Sequence, residues 1–162
     1  IGQSPGRMNV FDIGDMKVVL DYGHNVGAVH ATGEFLRNMM PGRVIRLSEG
    51  TGDRKTEDII EFGQALAHYS DYHIIADTAP RGRRLGETAE LMRDAMIEVG
   101  VQEENVEIIL NETEAVKKAL EMGEPGDLVI LQINNIQKVS EQILDFKKNY
   151  IEKTKKDEKP VK

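Results

Sequence analysis

The sequence predicts an α/β fold: a mostly parallel, Rossmann-like sheet with helices on both faces, preceded by a β-hairpin. Two patterns carry this. From Met16 onward, short apolar runs alternate with amphipathic segments of helical length, as in chains that build parallel sheets from βαβ units. Gly14-Asp15 separates two apolar runs, Met8–Ile13 and Met16–Tyr22, as a tight turn separates the strands of a hairpin.

The elements follow in order. Val18-Val19-Leu20 is continuously apolar, as in a central strand buried on both faces. Val26, Val29, Phe35, Leu36 and Met39 recur at three- and four-residue steps and predict a helix ended by Pro41-Gly42. Val44–Leu47 reads as a strand and 49–55 as a loop. Thr56, with Asp58 near it, suits the cap of a helix that runs to about His68 and buries Ile59, Ile60, Phe62 and Leu66. Tyr72–Ala76 is a strand, 77–86 a polar loop, and Glu87–Val99 a helix closed by Gly100. Val106–Leu110 and Asp127–Ile133 are the remaining strands, with a helix at Glu112–Met122 between them and a last helix from Ile136 to about Ile151. The expected organisation is one domain over residues 1–152 and a disordered charged tail over 153–162, since Lys153–Lys162 is almost all charged and contains Pro160.

The net charge of −7 argues against general nucleic-acid binding, which needs a positive face. No run approaches the roughly 20 apolar residues that span a bilayer. The start shows no signal-peptide pattern, and the absence of cysteine excludes disulfide and thiolate chemistry. A cytoplasmic location, with neither nucleic-acid nor membrane partner, is the expectation. The opening Ile1–Gly6 reads as a linker cut from something longer.

Ligands of a parallel sheet gather at the carboxyl ends of its strands. Three segments fall there: Asp21–Asn25, Gly50–Arg54 and Asp77–Arg83. The segment Glu49-Gly50-Thr51-Gly52-Asp53-Arg54-Lys55-Thr56 ends in Lys-Thr like a Walker loop, but Arg54 stands where a glycine must let the backbone wrap phosphate. Lys55 likewise replaces the third glycine of a dinucleotide fingerprint. An anion-binding loop of another kind and an ordinary glycine-rich turn both stay open. Asp21 could accept hydrogen bonds from a ribose diol and His24 could donate to a phosphate or carboxylate. Asp21 and Asn25 could equally be helix caps. Arg81, Arg83 and Arg84 suit a small anion through bidentate pairing, or form a solvated basic loop. His30, His68 and His73 lack ligand spacing, so no metal site is read from this chain, and they suit surface or satisfied core positions.

Taken in order, Pro5-Gly6-Arg7, Asp21-Tyr22-Gly23-His24-Asn25, Gly52-Asp53-Arg54 and Ala79-Pro80-Arg81 resemble the motif blocks of the C-terminal domain of the Mur ligase family, over essentially the whole chain to about Tyr150. Met8-Asn9 after the first block, Glu57-Asp58 after the third and Arg81-Gly82-Arg83 resemble the cyanophycin synthetase branch, as does Gln132-Ile133-Asn134-Asn135 where peptidoglycan ligases often carry Gly-Lys-Gly-His. Gly23 and Val26 depart from the usual Ala and Pro.

The resemblance implies one domain of an ATP-dependent ligase that forms an amide through an acyl phosphate. ATP and Mg2+ would be held mainly by a central domain of the same polypeptide. It assigns Arg7 and Asp21 to the nucleotide, and His24 and Asn25 to the catalytic interface that closes on it. Arg54, Arg81 and Arg83 would face the incoming amino acid, arginine in the cyanophycin branch, which is added to an aspartate side chain. The partners implied are the N-terminal and central domains. A homo-oligomer is left open, and the chain alone is expected to be inactive. Two alternatives stand beside this: a peptidoglycan- or folate-type ligase domain, and a non-catalytic nucleotide- or anion-binding α/β module. A G-x-x-G-K-[ST] motif encoded upstream in frame separates the ligases from the module.

Overall fold

The computed structural model describes residues 6–39 and 42–157. Pro5 and Pro41, invoked above, lie outside the described residues. β1 (Asn9–Ile13) and β2 (Met16–Asp21) form the expected antiparallel hairpin, with Ile13 opposite Met16 and Gly14 at φ +58° in the turn. α1 (Val26–Arg37), β3 (Val44–Glu49), α2 (Thr56–Ala67), β4 (Tyr72–Ala76) and α3 (Glu87–Glu98) follow. β5 (Val106–Ile108), α4 (Glu112–Met122), β6 (Leu128–Gln132) and α5 (Ile136–Asp157) complete the chain. The six strands form one sheet in the order β1-β2-β6-β3-β4-β5, parallel except for β1.

Helices cover both faces, as expected. On one face α4 and α5 bring Ala115, Val116, Leu120, Val139 and Ile143 onto Val18, Leu47 and Leu131. On the other, Ile59, Phe62, Leu66, Met92 and Met96 of α2 and α3 pack with Ile75, and Leu36 of α1 packs with Val19 and Ile130. Burying a large aliphatic or aromatic side chain is worth about 1.5–3 kcal/mol, so these two layers hold the strand ends in a fixed array. No helix among the described residues is long and apolar enough to cross a membrane.

Several expectations change. Phe35 is 57% exposed. The inward line of α1 runs through Val29, Gly33 and Leu36, and Gly33 leaves space for the ring of Tyr69, where a Cβ would collide. Ile60 is only half-buried. β3 continues two residues past Leu47 because Ser48 and Glu49 pair with Ile75 and Ala76 of β4. β5 stops short of Leu110 because the continued register would set that residue against Asp77, already beyond the end of β4. Thr56 and Asp58 do not cap α2: Lys55 holds that position without a side-chain bond, and Thr56 Oγ1 instead accepts from Arg83 at 3.1 Å. α5 runs on through Lys153–Asp157, where the expected tail begins. Lys155 and Lys156 in its last turn favour the negative end of the helix dipole. Residues 158–162 lie outside the described residues.

Candidate active site

The chain leaves β2, β3 and β4 toward α1, α2 and α3 on one face, but leaves β6 toward α5 on the other. Because β6 lies between β2 and β3, the loops diverge at its carboxyl end and open a crevice, the position where such sheets bind ligands. The loops after β2, β3, β4 and β6 meet there.

The turn after β2 is fixed from below. Gln132, on β6, donates through Nε2 to the Gly23 carbonyl and accepts from Arg46 Nη1 at 3.0 Å. Arg46 is buried, and its Nε donates to Ser70 Oγ at 2.9 Å. Burial lowers its pKa to about 10, against the pull of Asp21, so it remains a cation beneath the turn. From above, Tyr22 N–H donates to the Gly6 carbonyl at 2.7 Å, which brings the Arg7 segment beside Asp21. Arg7 itself is exposed. Asn25 caps α1, its Oδ1 accepting from Ala28 N–H at 2.9 Å. Asp21 does not cap; its carboxylate accepts no hydrogen bond from a described residue.

His24 is held in one tautomer. Its Nδ1 meets the Tyr22 carbonyl, and a carbonyl only accepts, so the proton sits on Nδ1. Nε2 then carries a free lone pair; it is buried and has no partner among the described residues. Burial holds the imidazole below its ordinary pKa, outweighing the Tyr22 carbonyl and the charges of Glu49 and Asp21, which raise it.

Gly52 and Arg83 join the loops after β3 and β4. Gly52 N–H donates to the Ala79 carbonyl at 3.3 Å. Arg83 Nε donates to the Gly52 carbonyl at 3.0 Å, and its Nη2 to the Arg54 carbonyl and to Thr56 Oγ1. Its Nη1 pairs with Glu87 at 2.7 Å. Glu49 ties the loops after β4 and β6 to β3: Oε2 accepts from Thr78 Oγ1 at 2.5 Å and Oε1 from Asn134 N–H at 2.6 Å.

Two adjoining cavities, of about 300 and about 520 Å³, share His24, Asn25, Thr51 and Arg54 on their walls. The larger is also lined by Arg81 and Asn134, the smaller by Glu49 and Asp58. Of the residues singled out from the sequence, His24, Asn25, Arg54 and Arg81 therefore converge, with Asp21 one residue from the wall at Tyr22. Arg81, at φ +45°, pairs with Asp53 on the surface at 3.0 Å, while Arg54 donates to Thr51 Oγ1 and has no carboxylate partner among the described residues. Arg83 lines neither cavity. Its guanidinium is turned into the loops, which departs from the expectation that it faces the amino acid. The sequence does not single out Glu49 as a site residue, and it gives Gln132 and Asn134 only as a branch marker. A carboxylate at the carboxyl end of a strand is the available signal for Glu49; the hydrogen bonds of Gln132 reach across strands and leave no local signal. Among the described residues no group of three or more His, Asp or Glu side chains is placed to hold a metal.

The family model described as "Mur ligase, glutamate ligase domain" matches residues 6–132. The chain belongs to this family. Within the Mur ligase family it is 37% identical over 132 residues to the cyanophycin synthetase of Nostoc sp. and 39% over 146 residues to that of Synechocystis sp.. These alignments cover 81% and 87% of this chain but only 14% and 16% of the relatives, so the chain spans a small part of the proteins it resembles. The fold matches a bifunctional folylpolyglutamate synthase/dihydrofolate synthase solved with Mn, AMPPNP and L-glutamate bound. The TM-score is 0.66 at 22% identity, over 88% of this chain and 32% of the other. The Mur-type resemblance read from the motif blocks, on the cyanophycin synthetase branch, is confirmed, as is the fold class.

Proposed function

We propose that this domain is the amino-acid-delivering part of an ATP-dependent ligase that adds arginine to an aspartate side chain, as its similarity to cyanophycin synthetases suggests. The observation that carries the reading is the convergence of His24, Arg54 and Arg81 on one crevice of a Mur ligase domain. ATP and Mg2+ belong mainly to the central domain of the same polypeptide, whose N-terminal and central domains are this domain's partners; that polypeptide is cytoplasmic and uses neither nucleic acid nor membrane as partner. Arg7 and Asp21 reach the nucleotide from this side, Asp21 offering its unpaired carboxylate to the ribose diol.

ATP phosphorylates the acceptor carboxylate, and the α-amine of the incoming amino acid attacks the carbonyl carbon. The C–N bond forms, the C–O bond to phosphate breaks, and phosphate leaves. Arg54 and Arg81 hold the α-carboxylate, Arg81 by exchanging Asp53 for it. His24, kept neutral by burial with Nε2 bare, takes a proton from the amine. Asn25 orders the start of α1 beside it. Arg83 sets the spacing of Arg54 and Arg81 rather than touching substrate. Placing like-charged groups in a closed, water-poor crevice is what makes positioned cations effective, and hinge closure completes the site. The domain alone is therefore inactive.

The test is ATP-dependent arginine incorporation by the full-length enzyme. Asp21→Ala and Arg54→Ala are expected to reduce kcat/KM by roughly 10²-fold or more each, and Arg81→Ala by roughly 10-fold, since each removes a charge-assisted contact. Wild-type rates in all three would remove the site assignment.

A further inference from the structure

Two carboxylates line the smaller cavity, and they differ in availability. Glu49 is fully buried, with both oxygens engaged by Thr78 and Asn134. Asp58, in the first turn of α2, is exposed and makes no hydrogen bond or ion pair among the described residues. Arg54, on the same wall, has no carboxylate partner among them either. Ile59 and Phe62 add an apolar lining to the same cavity. One cavity thus presents a cation, an anion and an apolar surface, neither charge being paired among the described residues. Its volume of about 300 Å³ lies at the small-ligand end of binding pockets.

We propose that Asp58 is the specificity-determining residue for the amino-acid side chain, selecting one that is long and cationic. The proposal rests on the ligase reading above. The α-carboxylate goes to Arg54, the methylene stem lies along Ile59 and Phe62, and the positive head meets Asp58 near the Phe62 ring. A neutral head group leaves Asp58 unpaired when the crevice closes, and an acidic one is repelled. Glu57 also lies in the first turn of α2 and supplies the same charge to the helix N-terminus, but it does not line the cavity. It is therefore the control for a purely helix-stabilising role.

The experiment measures ATP-dependent incorporation of arginine and of citrulline, its uncharged isostere, by the full-length enzyme. Asp58→Asn is expected to lower kcat/KM for arginine by roughly 10- to 100-fold and leave citrulline unchanged, so that the preference collapses. Asp58→Glu is expected to keep the preference for arginine, and Glu57→Gln to leave both substrates at wild-type rates. Equal losses for the two substrates in Asp58→Asn, or an unchanged ratio, overturn the proposal. A wild-type enzyme that joins a neutral amino acid in preference to arginine overturns it while leaving ligase chemistry in place. One that joins no amino acid overturns both.

Discussion

Gly52→Ala is expected to lower kcat/KM of the full-length ligase by roughly 100-fold while leaving the fold intact. A Cβ on Gly52 would fall well inside van der Waals contact of the Pro80 carbonyl oxygen, with the Pro80 Cα just behind it. Neither obstacle is a side-chain end that could swing away. Relief requires one loop to move from the other by on the order of 1 Å, a misplacement that costs enzymes about that factor when it separates groups that must act together. Arg54 follows Gly52 by two residues and Arg81 follows Pro80 by one, so any such movement alters the spacing of the two cations. Arg83 resists it: its bonds to the Gly52 and Arg54 carbonyls and to Thr56 span the two loops. The sheet lies below the clash and is untouched, so the thermal unfolding midpoint should move by only a few degrees, as for about 1 kcal/mol in a domain of this size. Steady-state kinetics beside a thermal melt separates the outcomes. Full activity with a lowered midpoint would mean that the loop spacing does not govern catalysis.

That contact also shows how far the sequence could be read. Alternating apolar and amphipathic segments specified the strands, the helices and the carboxyl-end placement of the three site loops, because periodicity follows from which face must be buried. What it did not specify depends on contacts between distant residues. Ser48 and Glu49 look like loop residues by polarity and become strand only because β4 pairs with them. Arg81 and Arg83 are two residues apart and chemically identical, yet one reaches the crevice rim and the other clamps the loops. The difference comes from the left-handed turn at Arg81 and Gly82, at φ +45° and +96°, which propensity does not forecast for an arginine. Thr56 and Asp58 read as caps by type, but Arg83 claims Thr56 and the cavity claims Asp58. The support of the Gly23 carbonyl by Gln132, and of Gln132 by Arg46, links residues 109 and 86 positions apart.

Below pH 6.5 the isolated domain is expected to lose stability through His73, by about 3 kcal/mol at pH 4. The sequence suggested a surface or satisfied core histidine. The structure places it fully buried on β4, with neither ring nitrogen in a well-formed hydrogen bond, paired in register with Arg46 on β3. Burial first, and then the positive charge of Arg46, lower its pKa from 6.5 to about 4. The sign follows from which state binds the proton. In the unfolded chain the imidazole protonates as pH falls through 6.5, whereas in the folded chain it stays neutral until about pH 4, so acid favours unfolding across that window. Asp77 and Glu112 work the other way. Burial raises both carboxyls, so the folded state takes up their protons first and gains stability from them as pH falls. Equilibrium urea unfolding of wild type and His73→Gln, compared from pH 7 to pH 4, cancels those carboxyls and leaves His73. The wild-type curve should fall more steeply than the variant's between pH 6.5 and 4, and parallel curves would place the imidazole in a hydrated or hydrogen-bonded site. The buried Arg46 charge disfavours the protonated ring, against the weaker opposing pull of Asp71, and the same guanidinium supports Gln132 beneath the turn after β2.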